Sequence, residues 1–215
     1  MFVGHFAVAL GAKRAVPRVS LGALVAAAIL LDLIWPVLLL AGVEHVRIDP
    51  GNTAFTHLAF DHYPWSHSLL TTMVWGSAAA ALMLARGRAR TAAVVVGLAV
   101  VSHWVLDFVT HRPDLPLWPG GALAGAGLWN SIPATFIVEG LLFVGAVEMY
   151  RRAFPARDGI GRWAFVGLLA FTTLIWVSGP FSPPPPGVQA IVGAGLAMWL
   201  FPIWAAWIDR HRGRA

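Results

Sequence analysis

Three side chains able to bind a metal or transfer a proton are spaced four residues apart in an apolar segment, VVSHWVLDFVTH, that ends at His111. His103, Asp107 and His111 share one face of a helix, because a step of four residues rotates only about 40° beyond a full turn. Ionisable groups are costly in hydrocarbon, so within a membrane segment they usually serve function. We therefore predict a metal or acid–base site at His103 and Asp107, with a purely structural interhelical hydrogen bond as the alternative. His111 falls at the outer end of the segment, where a solvated histidine is equally ordinary.

Four more ionisable residues interrupt other apolar stretches. Asp32 lies in ILLDLIWP, His67 in WSHS, Glu139 in FIVEGLL and His5 among the first twelve residues. At a rise of about 1.5 Å per residue, these groups and the first motif lie roughly 12 to 24 Å from the inner ends of their segments. We expect them to form one polar layer near the membrane midplane, in which a shared cation satisfies several groups at once.

The expected roles follow from residue type. His67, His103 and Asp107 are the first candidates for metal ligands, and Asp32 and His5 come next. Glu139 is the candidate general base, acting on a water whose pKa the metal lowers, with a further metal ligand or a partner for an outer arginine as the alternatives. The structural alternatives are pairing of Asp32 with a histidine, a helix cap at Ser66 in place of a His67 site, and an interfacial position for His5.

The rest of the chain predicts the elements that must hold these groups. It has 215 residues, 58% of them hydrophobic and 12% charged, which indicates an integral membrane protein. We expect a single all-α domain over residues 1–215, a polytopic membrane protein with about six spans and a short N-terminal helix that is half-inserted or interfacial. The sequence has no cysteine, which excludes disulfides and thiolate ligands. The expected spans are Ser20–Val43, Tyr63–Leu84, Thr91–Thr110, Ile132–Tyr150, Trp163–Pro180 and Val188–Ile208.

Basic residues predict the orientation. All but two of the 15 lysines and arginines lie before the first span, in alternate loops or after the last span. The positive-inside rule then places the C-terminus in the cytoplasm, in a membrane of the bacterial inner-membrane type. Arg47 and Arg112 are the exceptions in the outer loops, where they either receive an anionic head group or pair with the loop carboxylates of Glu44, Asp49 and Asp114. Basic residues between apolar runs do not indicate nucleic-acid binding, and the oligomeric state is left open.

Several of these residues together resemble a known family, the membrane-bound, metal-dependent hydrolases also described as LexA-binding, inner-membrane-associated hydrolases. The likeness covers the chain as far as about Asp114 and departs from the family at one motif, usually His-Arg-Gly-x-Thr-His-Ser, which here reads HYPWSHS. It implies a metal-dependent hydrolase. By their position just before the WSHS motif, Asp61 and His62 are either substrate or second-layer groups of the site or part of a solvated loop. The matching residues are His5, Asp32, His62, His67, Ser68, Ser102, His103 and Asp107.

Lipid phosphatases of the phosphatidic-acid type offer a second resemblance, through six spans and a His-x3-Asp element. They carry an arginine about six residues before that histidine, and here Gly97 and its neighbours are apolar. A phosphoryl group would lack its charged clamp, which argues against that mechanism.

The sequence thus predicts a membrane enzyme that binds a divalent metal, zinc being expected, and acts on a lipid or lipid-linked ester or phosphoester near the outer leaflet. A proton- or ion-coupled transporter would use the same layer of acidic and imidazole groups as a relay. A non-catalytic membrane partner protein would use them only to hold helices together.

Overall fold

The computed structural model describes residues 1–214, and over that range the chain is mainly helical. Ten α-helices are joined by short connections, two of which carry small antiparallel hairpins, with 3-10 turns at Leu128–Asn130 and Gly179–Phe181. The first half comprises α1 (Val3–Ala15), α2 (Leu21–Ala28), α3 (Leu30–Leu40), β1 (His45–Ile48), β2 (Leu58–His62), α4 (Pro64–His67) and α5 (Leu69–Ala85). The second comprises α6 (Arg90–Thr110), β3 (Leu115–Pro116), β4 (Leu123–Ala124), α7 (Ile132–Ala153), α8 (Gly159–Ser178), α9 (Val188–Ala197) and α10 (Leu200–Arg210).

Fewer helices than the expected six are individually long and apolar enough to cross a membrane. Within residues 1–214, four segments meet that condition, and α2 with α3 makes a fifth if the bent pair counts as one span. The remaining expected span, Tyr63–Leu84, corresponds to α5, which is apolar but has only 17 residues. The four segments are Arg90–Thr110, Ile132–Ala153, Gly159–Phe181 and Val188–Arg210.

The first expected span is broken ahead of Asp32. The axes of α2 and α3 differ by 57°, with the break at Ile29. Pro36 lies inside α3 without ending it. The break places Asp32 in the first turn of α3, where the positive end of the helix dipole favours a carboxylate.

The second expected span begins later than the sequence suggests. His67 belongs to the one-turn helix α4, and Ser68 then adopts an extended conformation before α5 begins. The Ser68 hydroxyl accepts the backbone N–H of Thr71, so Ser68 caps α5 and the cap expected at Ser66 is wrong. His67 therefore lies in a short turn that precedes the apolar helix, and not within that helix.

Helix α1 is enclosed by the protein, and is neither long enough to span a membrane nor free at its surface. It packs against α2, α6 and α7, and buries His5, Phe6 and Leu10. Lys13, near its C-terminal end, is also buried and binds the carbonyl oxygen of Val19 and the carboxylate of Asp209 on α10, each at 2.8 Å. The α1 helix is thus anchored through a buried ion pair.

Close packing of α5 on α6 depends on two glycines that face each other. A Cβ at Gly76 would lie 2.9 Å from the carbonyl oxygen of Gly97, and one at Gly97 would lie 3.0 Å from that of Gly76. Such small residues let helix backbones approach closely, which is the usual device of membrane helix pairs. The contact holds α6, which carries His103 and Asp107, against the helix that follows His67.

Candidate metal centre

Five of the predicted site residues meet at one place in the fold. They come from four helices that are distant in sequence and adjoin in space. Four of their side chains are buried, with exposed fractions of 0–6%, whereas that of Asp32 is 24% exposed. The group therefore opens towards Asp32. Its members are His5 on α1, Asp32 on α3, His67 on α4, and His103 and Asp107 on α6.

His103 shows which of its nitrogens faces the site. Its Nδ1 lies 2.8 Å from the carbonyl oxygen of Ala28, the last residue of α2. A carbonyl can only accept, so Nδ1 carries the proton and donates. Nε2 faces Asp107 Oδ2 at 3.2 Å and Asp32 Oδ1 at 3.7 Å, and in the neutral imidazole it carries the lone pair. This nitrogen has no hydrogen-bond partner within residues 1–214, although it is fully buried.

Two overlapping groups of three residues are compact enough to hold an ion, with one ligand atom per residue and all three atoms within 4.8 Å of one another: His5, His103 and Asp107, and Asp32, His67 and His103. Bonds of about 2.1 Å to a tetrahedral zinc ion separate ligand atoms by about 3.4 Å. His67 Nε2 lies 3.6 Å from Asp32 Oδ1 and 3.9 Å from Asp107 Oδ2. With the two separations from His103, the observed range is 3.2–3.9 Å. Two imidazole nitrogens and two carboxylate oxygens also form a donor set that suits zinc.

His5 lies at the side of this group. Its ring stacks on that of His103, with centroids 3.7 Å apart and planes 5° from parallel. Its Nε2 lies 3.2 Å from Asp107 Oδ1, whereas His103 faces the other oxygen of that carboxylate, Oδ2. The amino group of Met1 contacts the same oxygen. The two oxygens of Asp107 therefore have different neighbours: Oδ1 contacts His5 and Met1, and Oδ2 faces His67 and His103.

Glu139 is buried beside the group but bonds to the backbone of α1. Its Oε2 accepts the N–H of Phe2 at 3.0 Å and, at a longer 3.5 Å, that of Gly4. The residue thus binds free N–H groups at the start of α1, where helices lack internal partners. Its Oε1 is buried and has no hydrogen-bond partner in the part of the chain that the structure describes. One oxygen therefore holds the helix that carries His5, and the other remains available.

The polar residues predicted around the outer mouth lie apart from the five. Arg47 and Asp61 form an exposed ion pair across the first hairpin, with Nε 2.6 Å from Oδ2. The Asp61 carboxylate raises the pKa of Arg47 further above its ordinary value. His62 ends β2 and is exposed. The structure thus gives Arg47 a carboxylate partner, although not one of those expected.

His111 and Arg112 share another carboxylate, that of Asp114. His111 Nδ1 lies 2.9 Å from Asp114 Oδ1, and Arg112 Nε lies 3.3 Å from Asp114 Oδ2. The His111 ring packs 4.5 Å from that of Trp129, centroid to centroid. Although His111 shares a helix face with His103 by spacing, α6 ends at Thr110, and His111 turns away into this aromatic cluster.

Three residues that the sequence did not single out for the site support its histidines. Ala28 binds His103, and Ser66 and Glu44 lie behind His67, where Ser66 Oγ is 2.7 Å from His67 Nδ1. A carbonyl at a helix break and a loop glutamate have no distinctive sequence pattern. The one available signal was Ser66 itself, directly before His67. Comparison of this chain with family models, with curated proteins and with solved structures found no match.

Proposed function

We propose that this protein is a membrane-embedded, metal-dependent hydrolase whose ion is held by Asp32, His67, His103 and Asp107. The observation that carries the proposal is the buried Nε2 of His103, which lies 3.2 Å and 3.7 Å from two carboxylates and has no hydrogen-bond partner within residues 1–214. Acceptors facing one another in a buried site repel unless a cation lies among them. When bound, a divalent ion such as zinc would polarise a carbonyl or phosphoryl oxygen and lower the pKa of water.

The chain's own residues have distinct parts in this proposal. Asp32, the most exposed of the five side chains, marks the side from which a substrate reaches the ion. Glu139 Oε1, buried and unpartnered within residues 1–214, is the group proposed to accept a proton from water. His5 lies against Asp107 Oδ1 and orients that carboxylate.

The proposed substrate is a lipid or lipid-linked ester or phosphoester near the outer leaflet. Two features support this class: the apolar helices around the site, and the resemblance of His5, Asp32, His67, His103 and Asp107 to membrane-bound metal-dependent hydrolases. We further propose six crossings of a bacterial-type inner membrane, with the bent α2–α3 pair and α5 as the additional two. The basic clusters and the C-terminus would then be cytoplasmic.

Metal analysis of the detergent-purified protein tests the proposal. We expect stoichiometric zinc or another divalent metal in the wild type, and its loss in His103→Ala. His45→Ala is the matched control, because His45 is an exposed histidine on β1 away from the group, and it should keep the metal. A folded wild type that takes up no divalent metal on reconstitution would overturn the proposal.

A proton- or ion-coupled transporter is the second candidate, and the broken helix favours it. Discontinuous helices form the substrate and ion sites of many transporters, and Asp32 lies three residues after the break at Ile29. Ion or proton flux into proteoliposomes that Asp32→Asn abolishes would favour transport over hydrolysis. If substitution of these residues lowers thermal stability and alters neither metal content nor flux, the groups serve only to hold the helices together.

A further inference from the structure

Glu44 is a buried carboxylate that no cation pairs within residues 1–214. It lies between α3 and β1, and its residue is only 1% exposed. The sequence had suggested a loop salt bridge for it, yet Arg47 pairs with Asp61 instead. Burying an uncompensated carboxylate is costly, so its hydrogen bonds must account for its position.

All three strong hydrogen bonds to Glu44 come from the segment that carries His67. Its Oε1 accepts the backbone N–H groups of Trp65 and Ser66, each at 2.8 Å. Its Oε2 lies 2.6 Å from the hydroxyl of Ser66. A carboxylate only accepts, so the single hydroxyl hydrogen of Ser66 is directed to Glu44.

The direction of that bond determines the protonation of His67. With its hydrogen committed to Glu44, Ser66 Oγ can only accept from His67 Nδ1, which lies 2.7 Å away. In the neutral imidazole of His67 the proton therefore lies on Nδ1, and the Nε2 lone pair points towards Asp32 and Asp107. The chain of donors runs from His67 through Ser66 to Glu44.

We propose that Glu44, acting through Ser66, is a positioning residue that fixes the tautomer and orientation of His67 for metal binding. The proposal rests on the proposed metal function. Carboxylates that accept the second N–H of a metal-binding histidine keep its other nitrogen free and raise its basicity. Here the hydroxyl of Ser66 lies between the imidazole of His67 and the carboxylate of Glu44. The carbonyl of Ala28 fixes the tautomer of His103 in the same way, so both imidazoles face the centre through Nε2.

A nucleophilic role for Ser66 does not fit this geometry. A serine between a histidine and a glutamate suggests a catalytic triad, but there the histidine accepts the serine's proton and the acid orients the histidine. Here the acid binds the serine directly, and the serine is fully buried. Ser66 therefore transmits the influence of Glu44 and does not attack a substrate.

Glu44→Gln provides a specific test, because the backbone dictates how the amide must lie. The N–H groups of Trp65 and Ser66 require the amide oxygen at the Oε1 position, which directs the NH2 group towards Ser66. The amide then donates to Ser66 Oγ, the hydroxyl donates to His67 Nδ1, and the imidazole proton moves to Nε2. This tautomer presents an N–H, not a lone pair, to the metal position.

The experiment compares wild type, Glu44→Gln, Ser66→Ala and the control Asp61→Asn, which alters an exposed carboxylate on the adjacent hairpin. Zinc affinity is measured by competition with a chelator, and the His67 tautomer of the metal-free protein by 15N NMR. We expect Glu44→Gln and Ser66→Ala to weaken zinc binding about 10- to 100-fold. Only Glu44→Gln should shift the proton to Nε2, and Asp61→Asn should match the wild type in both measurements.

The outcomes separate this inference from the proposed function. Wild type that binds no zinc overturns the metal function, whatever the tautomer of His67. Wild type that binds zinc, with Glu44→Gln and Ser66→Ala binding it equally well and the His67 proton unmoved, overturns the role of Glu44 alone. Size-exclusion profiles and melting temperatures show whether each variant is folded, and Ser66→Ala leaves the two backbone contacts of Glu44 in place.

Discussion

His103 on α6 donates a 2.8 Å hydrogen bond to the carbonyl oxygen of Ala28, at the point where α2 breaks from α3. A carbonyl inside an unbroken helix is normally occupied by the N–H four residues later. The break that places Asp32 beside the site thus lies next to the acceptor that fixes the tautomer of His103. The break in the backbone at Ile29 thus positions Asp32 and lies beside the carbonyl that accepts the hydrogen bond of His103.

Metal removal should lower the stability of the wild type. A ligand that binds only the folded state at 100 times its Kd stabilises by about 2.7 kcal/mol. We expect chelation to lower the melting temperature, followed by intrinsic tryptophan fluorescence in detergent, and zinc to restore it. Asp107→Asn should show little response to either treatment. Equal melting temperatures for chelated and zinc-loaded wild type would contradict the prediction.

Substitutions of Glu139 separate its contact with α1 from a role as base. In Glu139→Gln the side chain keeps an oxygen for the N–H of Phe2, so stability and metal content should stay near wild type. Glu139→Ala leaves that buried donor unpaired and should cost about 1–2 kcal/mol of unfolding free energy.

Hydrolysis of a lipid ester would provide the functional measurement for the same pair. If Glu139 Oε1 accepts a proton, both variants should lose turnover, although only Glu139→Ala loses stability. Full turnover in Glu139→Gln would show that the residue only anchors α1.

The buried pair of Lys13 and Asp209 should contribute strongly to stability. Lys13→Met leaves a carboxylate without its cation, and we expect a loss of about 2–3 kcal/mol, because Asp209 is not fully buried. The neighbouring Arg14→Met removes an exposed charge from the same helix and should have little effect. Unfolding free energies from denaturant titration in detergent compare the two. Equal losses would show that Lys13 acts only as one more basic residue at the membrane surface.

The connection between α7 and α8 predicts a pH dependence at acid pH. Asp158 caps α8 through the N–H of Gly161 at 2.7 Å and contacts His211 Nδ1 at 2.7 Å. These contacts, the backbone N–H first, hold the pKa of Asp158 below its ordinary value. A lowered folded-state pKa gives stability that is present above the unfolded pKa and disappears as pH falls through the folded one.

Asp158→Asn isolates that charge, because asparagine is also a good helix cap. We expect the wild type to melt at a higher temperature than Asp158→Asn at neutral pH, and the difference to disappear as the pH falls through the lowered folded-state pKa of Asp158. Thermal melts at several pH values measure it. A difference that persists unchanged at acid pH would exclude the carboxylate charge as its source.

The outer residues illustrate where prediction from spacing ends. His111 is four residues after Asp107 and would share its helix face, but α6 ends at Thr110. Arg47 was expected either to bind an anion or to pair with a loop carboxylate, and the partner is Asp61 across a hairpin. Neither the end of a helix nor the register of a hairpin is specified by the local pattern of apolar and polar residues.

The sequence by itself determined the helical, apolar character of the chain and the small set of ionisable residues that its apolar segments must accommodate. The free-energy cost of placing an ionisable side chain in hydrocarbon depends on its residue type and on the apolar residues around it, and both can be read directly from the sequence. Only the tertiary structure decided which of those residues meet, because contact among α1, α3, α4 and α6 depends on packing and on the break at Ile29. It also revealed Ala28 and Glu44, since the direction of a hydrogen bond depends on where the backbone groups lie.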